Sequence, residues 1–153
     1  MKTRKTGIIC LCLTFCFYFS FAQKPPLNEP NLNKSRAFND MPDRMLLRVA
    51  DLSTLLNYEV GQSVKVPFAG NKTLSGLIIS KSDASDTHVK SVVVRLDERQ
   101  GARLTFTQIK NEDGTTSYRG RIISREHADG FEISLENGEY VFKKTGYYDM
   151  LNE

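Results

Sequence analysis

Seven short strand-like stretches fill the chain between Gln62 and Lys144, tight-turn signals separate them, and apolar and polar residues alternate clearly in some of them, such as 131–135 and 140–143. Alternation places successive side chains on opposite faces of a strand, so these stretches are predicted to be half-buried β-strands. The connections are shorter than the dozen or more residues that a parallel crossover takes, so the pattern predicts an antiparallel meander. The predicted strands are Gln62 to Phe68, Thr73 to Lys81, His88 to Leu96, Arg103 to Lys110, Thr115 to Arg125, Gly130 to Leu135 and Glu139 to Lys144.

The turns and interior glycines predict how this meander is shaped. Asn137-Gly138 gives the strongest turn signal, because both residues tolerate the positive φ angles of a two-residue hairpin. Gly76 and Gly120 lie inside predicted strands, where a glycine indicates a bend or a close approach of another element. The segments 76–81 and 120–125 also resemble each other in sequence, which leaves internal duplication and chance recurrence both open. Bending at the two glycines would curl the meander into a partial barrel.

One helix is predicted before the sheet, from Pro42 to Asn57. Pro42 suits the first helical position, and apolar residues then recur at helical spacing. The apolar positions are Met45, Val49, Leu52 and Leu56. A stripe of this kind can bind a partner, but it more often packs on the protein's own sheet. The predicted fold class is therefore α+β, with one N-terminal helix packed on a strongly bent antiparallel β-meander of six to seven strands.

The first 22 residues have the features of a bacterial export signal. A basic start precedes an apolar run that ends at Ser20-Phe21-Ala22, with small residues at the positions that flank a signal-peptidase cut. The run is shorter than the roughly 20 residues that a membrane-spanning helix needs. We therefore expect cleavage near Ala22, a periplasmic or secreted product, and no membrane span in the mature chain. Residues 23–41 are rich in Pro and Asn and are predicted to form a flexible arm, followed by a single domain over residues 42–153.

Cleavage would also change the charge and the cysteine content. The sequence has 21 Lys and Arg against 18 Asp and Glu, but three of the basic residues lie in the leader, so the mature chain is formally neutral. A nucleic-acid partner is not expected, because it would require an excess of basic residues. Cys10, Cys12 and Cys16 all lie in the leader. The mature chain therefore lacks the thiols that a disulfide framework, a cysteine nucleophile or a cysteine metal site would need.

An arginine-rich strand face is the predicted binding surface. Arg119, Arg121 and Arg125 share one face of a predicted strand, and Lys143 lies at the end of the last strand. Such a face suits the carboxylates of a protein partner or an acidic glycan. The alternative is a solvated outer face balanced by glutamates on neighbouring strands. Further arginines near the adjacent hairpin are Arg95, Arg99 and Arg103.

Two classes of function remain after these observations. The first is an exported, non-catalytic binding or accessory module, of which a peptidase inhibitor or an envelope-associated protein would be varieties. The second is a small secreted hydrolase or metal-dependent enzyme that uses the loop Glu126, His127 and Asp129. Catalytic zinc usually takes three protein ligands in fixed geometry, and the sequence has no Gly-x-Ser-x-Gly elbow, His-Glu-x-x-His helix or phosphate-binding glycine loop. The first class is therefore preferred, with no catalytic residue, metal ligand or cofactor assigned.

Overall fold

The computed structural model describes residues 33–68, 72–82, 85 and 87–151. The chain divides into two units, Met1–Asn31 and Leu32–Glu153, and all described residues belong to the second. The predicted signal peptide and residues 23–32 of the predicted arm lie outside the described residues. Within the described residues, no helix is long and apolar enough to cross a membrane.

Eight antiparallel strands form one sheet in the order β1-β8-β7-β6-β5-β4-β3-β2. The predicted antiparallel meander is present, but the sheet has eight strands rather than six to seven, because an additional strand, β1, pairs with β8 at one edge. The turn at Asn137 and Gly138 has the positive φ angles of a two-residue hairpin, 53° and 84°. The strands are β1 (Arg44–Leu46), β2 (Ser63–Pro67), β3 (Thr73–Lys81), β4 (Val89–Leu96), β5 (Arg103–Lys110), β6 (Thr116–Ile123), β7 (Asp129–Glu136) and β8 (Glu139–Gly146).

The sheet is curled into a half-barrel around an apolar core. Six strand spacings separate β2 from β8, which in a flat sheet would amount to roughly 29 Å. Yet Phe68, directly after β2, stacks on Phe142 of β8 with ring centroids 5.0 Å apart. Gly76 and Gly120 both lie at close approaches, since an added Cβ atom would fall 2.6 Å from the Arg95 carbonyl oxygen and 2.5 Å from that of Thr105. The predicted bending of the sheet is therefore confirmed.

The helix is much shorter than predicted. Helix α1 covers Val49–Ser53, and a 3-10 turn over Thr54–Asn57 continues it. Residues 44–46 are strand rather than helix, because their backbone groups pair with residues 141–143 of β8. Met45 is buried in the strand, and the predicted helix would have buried it too, so its place in the apolar stripe did not distinguish helix from strand. Leu52 and Leu55 are buried in the core, and Val49 and Leu56 pack against it partly buried.

Residues 34–43 pack against the sheet and are called here the N-terminal strap. The arm predicted over residues 23–41 overlaps the strap at residues 34–41, and there Phe38 is fully buried among the rings of the core. Its ring packs edge-on against Phe131 with centroids 5.2 Å apart. A short polar sequence with one aromatic anchor can therefore be fixed when distant residues supply partners for its backbone.

Three charged side chains supply those partners. The buried carboxylate of Asp129 accepts hydrogen bonds from the backbone N–H groups of Ala37 (2.6 Å) and Phe38 (3.1 Å). Arg99 donates to the Ala37 carbonyl oxygen at 2.8 Å and to the Asp40 carboxylate at 2.6 Å. Lys144 Nζ donates to the Met41 carbonyl oxygen at 2.6 Å. The strap thus has bonds to the β4–β5 turn, β7 and β8.

The ion pair between Arg99 and Asp40 predicts a lowered pKa for Asp40, which can be measured. The hydrogen bond from Arg99 lowers the pKa of Asp40 below its usual value of 3.8. A lowered carboxyl pKa stabilises the fold at pH above 3.8, and this contribution is lost as the pH falls through the folded-state pKa. In an NMR titration, Asp40 should therefore titrate below 3.8, and Arg99→Gln should raise its midpoint.

Asp113 is the internal control for that titration. Its pKa is also lowered, because the Thr115 hydroxyl and N–H donate to its carboxylate. Arg99→Gln should leave the Asp113 midpoint unchanged. A midpoint of Asp40 that does not move in the variant would contradict the pairing of the strap with Arg99.

Candidate functional site

The outer face of β6 carries two of the predicted binding residues. Ile122 is fully buried and points into the core, so the alternating residues Arg119, Arg121 and Ile123 point outward. Both arginines are exposed. The register places Arg119 beside Thr107 and Arg121 beside Thr105 on β5. Arg119 and Arg121 therefore stand above small polar neighbours, without large side chains from β5 in front of them.

Arg125 is exposed but does not share the strand face as predicted. β6 ends at Ile123, and Arg125 lies in the turn that leads to β7. Two further arginines lie on the same outer side, because Arg103 of β5 pairs with both Ile123 of β6 and Arg95 of β4. The five exposed arginines on this side are called the arginine face: Arg95, Arg103, Arg119, Arg121 and Arg125.

Carboxylates lie near the arginine face without pairing with it: Glu132 stands opposite Arg121 in the register of β6 and β7. Among the described residues, none of the five arginines has a carboxylate oxygen within 4.0 Å, whereas other basic residues take up the acidic groups. Glu98 lies in the β4–β5 turn but accepts the Ser75 N–H with both carboxylate oxygens, at 3.0 and 2.8 Å, which lowers its pKa. A formally neutral mature chain would therefore still present a strongly positive patch.

Two arginines of the patch face each other directly. Arg95 and Arg103 are opposed in the register of β4 and β5. Like charges in directly opposed positions destabilise a sheet. This unfavourable pair is exposed, so solvent anions or an acidic ligand can reach both guanidinium groups.

Lys143, the fourth predicted binding residue, lies outside this patch. It is on the same outer side, but Glu132 of β7 stands between it and Arg121 in the cross-strand register. Its Nζ atom lies 3.8 Å from Glu136, whose other oxygen accepts a 2.9 Å hydrogen bond from Arg44. That bond from Arg44 lowers the pKa of Glu136. Lys143 therefore belongs to a mixed-charge network near the sheet edge.

The C-terminal segment borders the arginine face. A 3-10 turn over Asp149–Leu151 buries Met150 against the outer side of β7, where Gly130 leaves room for its methyl group. Arg121 Nη1 donates to the Met150 carbonyl oxygen at 3.4 Å. This contact orients Arg121 without neutralising its charge.

The loop proposed for metal chemistry does not bring its three side chains together. Asp129 points inward to the strap, as described above. His127 Nδ1 lies 3.1 Å from the Ser124 hydroxyl, and Glu126 lies beside Gly101. Within the described residues, no group of three His, Cys, Asp or Glu is arranged to hold a metal ion.

A partly open pocket of about 370 Å³ lies at one end of the arginine face. This volume is within the range of about 300–1,000 Å³ that small-molecule pockets usually have. Its lining combines charged, apolar and backbone groups from three segments: Gly101, Arg103, Ile123, Arg125 and Glu126.

Comparison with known proteins gives this site no precedent: no family model, curated protein or solved structure matches the chain. The sequence indicated Arg95 and Arg103 through their nearness to the adjacent hairpin, but it gave no sign of the pocket. The pocket forms because the β4–β5 and β6–β7 turns lie side by side, and that proximity depends on the β5–β6 register.

Proposed function

We propose that the chain is an exported, non-catalytic binding module that recognises an acidic partner with the arginine face. The observation that carries this proposal is the set of five exposed arginines without a carboxylate partner among the described residues. The proposal of export rests on the signal-like leader, whose residues lie outside the described part of the chain. Guanidinium groups bind carboxylate, sulfate and phosphate groups with two parallel hydrogen bonds, so adjacent arginines favour a polyanion.

Retention on immobilised polyanions tests the proposal. The mature protein should bind heparin or poly-glutamate resin at low salt and elute as salt screens the interaction. Replacing Arg119, Arg121 and Arg125 with Ser should weaken binding at least tenfold, because each hydrogen bond between charged groups contributes about 1.5–3 kcal/mol. Folding should be nearly unchanged, since these residues are exposed.

A matched variant separates a local patch from the effect of charge alone. Arg48 precedes helix α1, and Lys90 and Lys110 alternate with the outward-facing residues of β4 and β5, so replacing these three exposed residues with Ser removes the same formal charge without changing the outer face. This variant should keep most of the binding. Lys143→Ser should also bind nearly normally, because Glu132 and Glu136 flank that residue. Equal losses in the two triple variants, or no retention of the wild type on either resin, would refute the proposal.

A further inference from the structure

The pocket beside Arg103 and Arg125 combines two guanidinium groups with a carboxylate and an apolar side chain. From its lining, we propose that it holds one acidic sugar unit of a polysaccharide. This inference rests on the proposed function and names the class of ligand that the arginine face would recognise.

Two guanidinium groups define the charged side of the pocket. Arg103 reaches it from the start of β5 and Arg125 from the β6–β7 turn. Arg95 stands directly opposite Arg103 in the sheet and adds a third positive charge nearby. A carboxylate or sulfate group accepts paired hydrogen bonds from guanidinium groups in the geometry that such side chains offer. The acidic substituent of the sugar is therefore bound between the arginines.

Glu126 distinguishes a sugar from a simple anion. It lines the same pocket, yet its carboxylate forms no ion pair within 4.0 Å with either arginine among the residues described. The negative charge of Glu126 would repel an inorganic sulfate or phosphate. A carboxylate does accept hydrogen bonds from hydroxyl groups, which a sugar ring carries on several carbons.

Ile123 and Gly101 complete the lining. Ile123 is a half-buried apolar side chain on the outer face of β6 and provides a surface for the C–H groups of a ring. Gly101 has a φ angle of 69°, and an added Cβ atom would lie 3.0 Å from Glu126 Oε1 and 3.1 Å from Ser124 Oγ. The glycine therefore lets Glu126 lie beside the β4–β5 turn. Anion, hydroxyl and apolar contacts together fit an acidic saccharide.

Four polar contacts, three of them partly buried, hold the β6–β7 turn in place without a ligand. Ser124 is 1% exposed and donates its hydroxyl proton to the Gln100 carbonyl oxygen at 3.2 Å. Ser124 Oγ in turn accepts the Glu126 N–H at 3.2 Å and lies 3.1 Å from His127 Nδ1. Lys34 Nζ donates to the Arg125 carbonyl oxygen at 2.7 Å. Since the backbone is already fixed, little conformational entropy is lost when a sugar binds.

Calorimetry tests the proposal, because Glu126→Ala should change the affinity for an acidic sugar and for sulfate in opposite directions. A trigalacturonate and a sulfated chondroitin disaccharide serve as the two acidic probes, with a neutral galactose trisaccharide and inorganic sulfate as references. At least one acidic sugar should bind, and Arg125→Ser should weaken it at least tenfold. Glu126→Ala should also weaken the sugar severalfold, because a hydroxyl acceptor is lost, whereas it should strengthen the binding of sulfate.

A glutamate far from the pocket serves as the control for Glu126→Ala. Glu112→Ala removes an exposed glutamate from the β5–β6 turn, at the other end of the strands, and should leave sugar binding unchanged. The proposal is wrong if neither acidic sugar binds, if the neutral trisaccharide binds equally well, or if Glu126→Ala tightens sugar binding. In each of these cases retention on polyanion resins can persist, so failure of the pocket is distinguishable from failure of the arginine face.

Discussion

Replacing Phe38 with Ala is expected to lower the free energy of unfolding by about 3–5 kcal/mol, the usual cost of deleting a buried aromatic side chain. Phe38 is fully buried although it lies in a polar, asparagine-rich part of the sequence. Its ring contacts Phe131, and the Arg99 guanidinium lies 5.4 Å from its centroid. The substitution removes these contacts and leaves a cavity, so the strap should also detach more often.

Chemical denaturation of the mature protein measures this change directly. Asn39→Ala alters the exposed neighbour and should stay within about 0.5 kcal/mol of the wild type. Limited proteolysis should cut Phe38→Ala within residues 34–43 faster than the wild type. A Phe38→Ala protein as stable as Asn39→Ala would mean that the strap contributes nothing to the core.

Leu52→Asp is expected to have an effect of similar size or larger and to lower the unfolding temperature strongly. Leu52 is the fully buried residue of helix α1, and an aspartate there would place an unpaired charge in the apolar core. Such a change costs about 4–5 kcal/mol or more, which is a large share of the stability of a domain of this size.

Ala50→Asp is the matched control, since it adds the same carboxylate to the exposed side of the same helix. It should be nearly neutral, because an acidic residue in the first turn of a helix interacts favourably with the helix dipole. Circular dichroism and thermal unfolding distinguish the two variants. If Leu52→Asp melts at the temperature of Ala50→Asp, the helix does not pack on the sheet.

The sequence predicted the elements that depend on neighbouring residues and missed those that depend on distant ones. Strands β2 to β8 follow from local alternation and turn chemistry, and their observed limits differ from the predicted ones by at most a few residues. β1 has only three residues, and its conformation is decided by hydrogen bonds to β8. The N-terminal strap likewise owes its structure to Asp129 and Lys144.

The candidate site divides in the same way. Alternation along β6 correctly placed Arg119 and Arg121 on the outer face. Extending that alternation to Arg125 was wrong, because the strand ends before this residue. Nothing in the order of residues showed that Arg99 turns toward the strap while Arg103 turns outward. Such differences arise from side-chain partners, which become known only once the strands are in register.

The strap also has a consequence for the order in which the chain assembles. Its bonds join Ala37 to Asp129 and Met41 to Lys144, across sequence separations of 92 and 103 residues. Contacts this distant in sequence form late, because closing a long loop costs entropy that nearby contacts do not. The strap is made early in synthesis, yet it can reach its final position only after its partners in β7 and β8 have been made. Until β8 has been made, the Phe131 ring lacks the cover that Phe38 of the strap gives it in the folded protein.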